Sequence, residues 1–128
     1  MKIQKLKLED IEELHNELIK VGGGDYGMQN TSSIDFALGH IKYNNTKSEF
    51  FYNLALLLRN ITELHPFLDG NKRTGIAITE IILMANDLIL KLTDKQKEKF
   101  IIDVAMGKYE DLKKLSKFLR KKTKKLKV

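Results

Sequence analysis

The sequence predicts an all-α protein of one compact domain, on three observations. Apolar residues recur every three or four positions through most of the chain. There is a single proline, Pro66, and glycines gather in only one place. The chain's 128 residues are 42% apolar and 31% charged, a balance that buries one core and excludes disorder throughout.

The elements follow in order. Leu8, Ile11, Leu14, Leu18 and Ile19 share one face of a first helix, with acids early and Lys20 late. His15 lies in this helix with no acidic or histidine cluster around it, and reads as a surface or helix-end histidine, as does His40 further on. Gly22, Gly23, Gly24 and Gly27 then form a pliable turn or hairpin. In it Tyr26 is either a substrate contact or an ordinary turn tyrosine. Thr31, Ser32 and Ser33 offer N-caps for a second helix through Ile34, Ala37 and Ile41. Residues 47–64 are apolar nearly all round and should form the central helix, with the Phe50-Phe51-Tyr52 run in the core. A polar loop, 65–73, separates it from another apolar helix, Thr74 to about Ala85, ended by Asn86-Asp87. Thr93 can cap the next helix, which stops at Gly107, and Leu112, Leu115, Phe118 and Leu119 mark the last.

Residues 1–119 read as the domain and residues 120–128 as a basic C-terminal tail. The tail holds six of the 23 basic residues and no acid; without it 17 basic residues face 17 acids. A neutral body lacks the basic face of a nucleic-acid-binding domain. The tail is expected to be solvated and frayed, removable at little cost, with an acidic partner as the sharper alternative. The absence of cysteine excludes disulfides and thiolate–zinc sites and fits the cytoplasm. No secretory leader is legible, and no apolar run approaches the roughly 20 residues that span a bilayer.

The chemistry concentrates in His65-Pro66-Phe67-Leu68-Asp69-Gly70-Asn71-Lys72-Arg73. A polar cluster between two buried helices breaks the local pattern, and such breaches mark functional sites. Gly70 lets the backbone turn tightly beside a ligand. The amides after it open a helix, whose N-terminus attracts phosphate. Lys72 and Arg73 add two full charges, Arg73 as a two-pronged donor and Lys72 as a point charge. Asp69 tolerates nearby phosphates only with a cation between, for which Mg²⁺ is the natural choice. His65 exchanges protons near neutral pH. Thr74 could cap the helix or touch phosphate. Singly, each residue reads as a cap, a turn or a solvated charge; together in nine residues they read as a phosphate-binding catalytic loop. Pro66, Gly70 and the lack of further His or Glu nearby argue against a helical His65–Asp69 metal pair.

This segment resembles the Fic/Doc motif: His, any residue, Phe, any residue, Asp or Glu, Gly or Ala, Asn, Gly or Lys, Arg. All seven fixed positions are met. Residues 22–28 resemble the flap ahead of that family's second helix, and 105–112 its last helical hairpin. The resemblance implies a Fic/Doc-type helical bundle with a glycine-rich flap and a catalytic loop between two buried helices. It makes His65 the general base, Phe67 the loop's anchor, Asp69 the Mg²⁺ ligand, and Gly70, Asn71, Lys72 and Arg73 the anion hole for ATP phosphates. The flap would pin an extended target segment by strand-like pairing. The adenylylating branch has Gly where Lys72 stands and a second Arg where Ile76 stands. Both departures resemble the Doc, or death on curing, toxin branch. They imply a kinase moving the γ-phosphoryl group of ATP to a Ser or Thr hydroxyl, with elongation factor Tu or its counterpart as target by analogy. No Ser or Thr is followed four residues on by Glu, so the family's inhibitory helix is missing from this sequence, which implies a separate antitoxin. Adenylyl transfer on the same fold is the alternative, and a non-catalytic nucleotide-binding module is the alternative outside enzymes.

Overall fold

The computed structural model describes residues 1–126. Six helices and one two-stranded sheet follow the order α1 (Leu8–Gly22), α2 (Ser32–His40), α3 (Lys47–Thr62), α4 (Asn71–Ala85), β1 (Leu88–Leu90), α5 (Asp94–Ala105), α6 (Leu112–Lys122) and β2 (Thr123–Lys125). The fold is the predicted helical bundle. None of the described helices is long and apolar enough to cross a membrane.

α3 is the axis. Its apolar residues point in every direction, so neighbours must surround it: α2, α4, α5 and α6 all pack on it. Phe50, Leu54, Ala55, Leu57, Leu58 and Ile61 have no exposed surface. Each large side chain buried this way contributes about 1.5–3 kcal/mol of transfer free energy. Phe50 and Phe51 meet edge to face at 5.2 Å inside the core, while Tyr52, the third aromatic, stays 41% exposed. α1 lies across α4 and touches α2, presenting Ile11, His15 and Ile19 inward.

The helix starts show how local sequence sets the frame. Thr46 and Glu49 bond reciprocally at the start of α3, and Thr93 and Gln96 do so at α5. Asp111 caps α6 through the Lys113 N–H at 3.0 Å. At α2 the expected Thr31 side chain makes no cap bond; Asn30 Oδ1 takes the Ser32 N–H at 2.9 Å. α4 begins at Asn71, a turn earlier than Thr74. Thr74 is fully buried, and its hydroxyl donates to the Gly70 carbonyl at 2.8 Å, so it closes the first turn instead of facing a phosphate.

The C-terminal segment departs from the frayed tail expected of it. Arg120, Lys121 and Lys122 continue α6, and Thr123–Lys125 pair antiparallel with β1, Leu90 opposite Thr123 and Leu88 opposite Lys125. The Leu126 N–H reaches the Asp87 carbonyl at 2.9 Å. Strand pairing is carried by the backbone, so Lys124 and Lys125 stay exposed within the paired segment. The buried Leu115 and Leu119 anchor the helix, and cations suit its C-terminal turn. Residues 127 and 128 of the expected tail lie outside the described residues.

Candidate active site

The loop between α3 and α4 is held from three sides. The first brace is internal. The Asn71 side chain accepts the Phe67 N–H at 3.0 Å and donates to the Phe67 carbonyl at 2.9 Å. Asn71 is thereby only 8% exposed. Of its groups the backbone N–H, not the amide side chain, is left for an anion. Phe67 itself has no exposed surface and anchors the loop in the core.

The second brace is the glycine-rich segment. The Gly27 carbonyl accepts the Leu68 N–H at 2.9 Å, the Pro66 carbonyl accepts the Gln29 N–H at 2.8 Å, and Met28 pairs antiparallel with Phe67. One edge of this flap is therefore occupied by the loop. Gly24 does more than supply pliability. Its φ is +120°, and a Cβ there would lie 2.6 Å from an Asp69 carboxylate oxygen. The flap can lie this close to Asp69 and Arg73 because it has no side chain at that point.

The third brace is His15, and here the surface-histidine expectation is overturned. His15 is 1% exposed, its ring lies parallel to that of Phe67 at 3.8 Å, and its Nε2 is 2.6 Å from the Asp69 carbonyl oxygen. A signal existed in the sequence: Ile11, His15 and Ile19 repeat every four residues on the inward face of α1. His40, by contrast, is an exposed helix-end residue bonded to the Phe36 carbonyl at 3.0 Å, as expected.

These braces present a definite set of groups. Gly70 takes the left-handed conformation, φ +78°, as N-cap of α4 and supplies no side-chain cap. The Thr74 N–H makes the first bond of the helix, to the Gly70 carbonyl. The N–H groups of Asn71, Lys72 and Arg73 precede it and so have no partner within the helix. Lys72 is exposed and joins no ion pair among the described residues. Arg73 is half-buried, with one guanidinium nitrogen 3.8 Å from Asp69 Oδ1 and another 3.4 Å from the Leu18 carbonyl oxygen. Asp69 Oδ1 accepts the Gly70 N–H at 2.9 Å, and Oδ2 has only a long contact of 3.4 Å, with the Asp25 N–H. His65 is exposed in a left-handed conformation, φ +47°, unusual for a residue other than glycine. Its nearest polar neighbour is the Asn71 amide at 3.5 Å. Asp69, Lys72, Arg73 and the amides of residues 71–73 thus meet at the open start of α4, while His65 lies beside the Asn71 side chain.

Compared with known families, residues 5–83 match the Fic/DOC family. This chain is a member of the Fic/DOC family. The match covers the flap, the loop and α4 up to Leu83, whereas the likeness read in residues 105–112 lies outside it. No individual curated protein matches the chain. Fic/DOC proteins generally transfer nucleotide-derived groups to proteins and use ATP, usually with Mg²⁺. The residues present fit such ligands. Three open amides, Lys72 and Arg73 suit phosphate, and a single half-exposed carboxylate suits Mg²⁺, which is commonly held by one or two carboxylates together with substrate phosphates. Among the described residues no three His, Asp or Glu side chains gather into an all-protein metal cage.

A cavity of about 560 Å³ lies elsewhere, between α3 and α6, lined by Lys42, Tyr52, Lys113, Lys117 and Arg120 among others. It contains no residue of the loop. The loop instead brings together His65, the half-exposed Asp69 carboxylate and the open amides of residues 71–73.

Proposed function

We propose that this Fic/DOC protein is a Doc-like kinase that transfers the γ-phosphoryl group of ATP to a Ser or Thr hydroxyl of another protein. The observation that carries the choice is the pair Lys72 and Ile76. Lys72 stands exposed at the start of α4, where the adenylylating branch has glycine. Ile76 stands where that branch has its second arginine, and it packs on the core instead of offering charge.

His65 takes the proton of the target hydroxyl, and the oxygen forms a bond to the γ-phosphorus. The bond from the γ-phosphorus to the β,γ-bridging oxygen breaks, and ADP leaves with that oxygen. Such transfers depend on positioning and on neutralising charge on the transferred group. Lys72, Arg73 and the amides of residues 71–73 supply the neutralising donors. Asp69 would hold Mg²⁺, which would supply further charge neutralisation. The flap's second edge, away from the loop, would take an extended stretch of the target by backbone pairing. By analogy with Doc, the target is a translation elongation factor, such as elongation factor Tu, and a separate antitoxin restrains the enzyme.

The test uses ATP labelled separately at the α- and γ-phosphates, incubated with the protein and cell lysate. The proposal expects the γ-label in a protein band and ADP as product. The α-label in protein with release of pyrophosphate would assign adenylyl transfer instead. Lys72→Gly should lose γ-transfer, since only Arg73 and the amides would then face the triphosphate. An unchanged rate in that variant would remove Lys72 from the choice of reaction.

A further inference from the structure

A buried imidazole needs polar partners, because an unpaired polar group out of water costs about 1–3 kcal/mol. His15 Nε2 meets the Asp69 carbonyl oxygen at 2.6 Å. A carbonyl oxygen only accepts, so Nε2 carries the proton and donates. The other ring nitrogen has only the Asn16 side chain, at 3.3 Å. The flat face of the ring lies parallel to Phe67, tilted by 8°. The ring edge also backs the left-handed turn: a Cβ on Gly70 would come within 3.4 Å of two ring atoms of His15. One side chain from α1 thus touches the loop at Phe67, at Asp69 and beside Gly70.

We infer that His15 is a positioning residue, which fixes the 67–70 turn so that the Asp69 carboxylate and the open amides of residues 71–73 face one ligand. The inference rests on reading this loop as a Mg²⁺–nucleotide site. The physical reason is the shortness of the lever. The Asp69 carbonyl is one bond from the Cα that carries the carboxylate, and its carbon is bonded to the Gly70 nitrogen. A rotation of that peptide turns the carboxylate and the N-cap together. Side chains that orient a metal ligand from behind typically alter metal affinity or activity by about 10–100-fold when replaced. A histidine that merely filled the core would affect melting alone.

Two variants separate these roles. His15→Phe keeps a flat ring against Phe67 and removes the donor. His15→Gln keeps an amide N–H at similar reach and removes the aromatic stack. The probe is ATP, titrated with and without Mg²⁺ by calorimetry, alongside melting temperature. His15→Phe is expected to weaken Mg²⁺-dependent ATP binding roughly 10–100-fold, and to change binding without Mg²⁺ much less. His15→Gln is expected to recover most of the loss, even where it melts lower. Equal affinity in His15→Phe and wild type, or a loss in His15→Gln as large as in His15→Phe, overturns the inference. A second readout needs no ligand. Nitrogen-15 spectra should show the proton on His15 Nε2 in the wild type and displaced amide resonances for residues 69–72 in His15→Phe. If the wild type fails to bind Mg²⁺–ATP, the nucleotide reading falls, and the spectra alone decide on His15: unmoved loop resonances count against it.

Discussion

The starts of α4 and α5 make the most informative contrast in the molecule. At α5 the Thr93 hydroxyl accepts the Gln96 N–H at 3.1 Å, and the Gln96 amide oxygen accepts the Thr93 N–H at 2.9 Å. Its own side chains thereby satisfy the N–H groups of Thr93 and Gln96. At α4 the cap is Gly70, which has no side chain to offer, and the first three amides stay open. α5 shows what this sequence does where stability alone decides. α4 leaves those donors unpaired beside Lys72, Arg73 and Asp69, an arrangement with a use only when an anion arrives. On the proposed function, the uncapped start of α4 is the binding end and the boxed start of α5 is structural.

Substitutions on the α4 side should damage activity, and those on the α5 side only stability. The largest effect is expected from His65→Ala, which removes the proposed base and should slow transfer by about 10²–10⁴-fold. ATP binding should persist, since the phosphate donors lie at residues 71–73. Single-turnover rates with binding measured in parallel check this, and near-normal turnover would take His65 out of the mechanism.

Gly70→Ala comes next. A side chain in the left-handed region costs roughly 1–2 kcal/mol, and the new Cβ would lie 2.9 Å from Ile19 Cδ1. Nucleotide affinity should fall with stability, because the turn that opens the amides is itself disturbed. Denaturant melts and ATP titration of the same sample test the coupling; lowered stability with intact affinity would break it.

Thr93→Ala should cost about 1 kcal/mol of stability and leave ATP affinity unchanged. Any loss of affinity there would mean that the two helix starts are not independent.

The smallest effect concerns α3. Hydrogen bonds from the Thr46 backbone and hydroxyl, with Lys42 nearby, hold the Glu49 carboxyl below its ordinary range. A carboxyl lowered in the folded state stabilises above its unfolded pKa, and that contribution disappears as pH falls through the folded value. The first turn of α3 should therefore loosen upon acidification below the usual carboxylate range, while α5, whose box uses the uncharged Gln96, should not. Amide exchange at Phe50 and Lys97 across that pH range measures it. Equal responses would show that Glu49 is not responsible.

What could be read in advance follows the same division. His65, Phe67, Asp69, Gly70, Asn71, Lys72 and Arg73 were legible because their chemistry is dense and local. The six helices and the Thr93 cap were legible from spacing and from the residue types that satisfy orphan amides. The buried position of His15 was not, since it depends on α1 docking against a loop 54 residues away. The pairing of Leu88–Leu90 with Thr123–Lys125 was hidden for a related reason. A run of lysines advertises solvated side chains and is silent about the backbone, and the partner strand is only three residues long. The Asn71 side chain belongs to the same class: an amide beside phosphate ligands looks like a ligand, and only the fold turns it back to clamp Phe67.

The most direct test of the central claim is a titration of the nitrogen-15-labelled protein with Mg²⁺–ATP, followed at individual backbone amides. The account predicts saturable shifts at Asn71, Lys72 and Arg73, with smaller shifts through the flap at Gly24–Gly27, and none at Asp94–Gln96. Shifts confined to the basic face of α6, or equal shifts at the starts of α4 and α5, would contradict it.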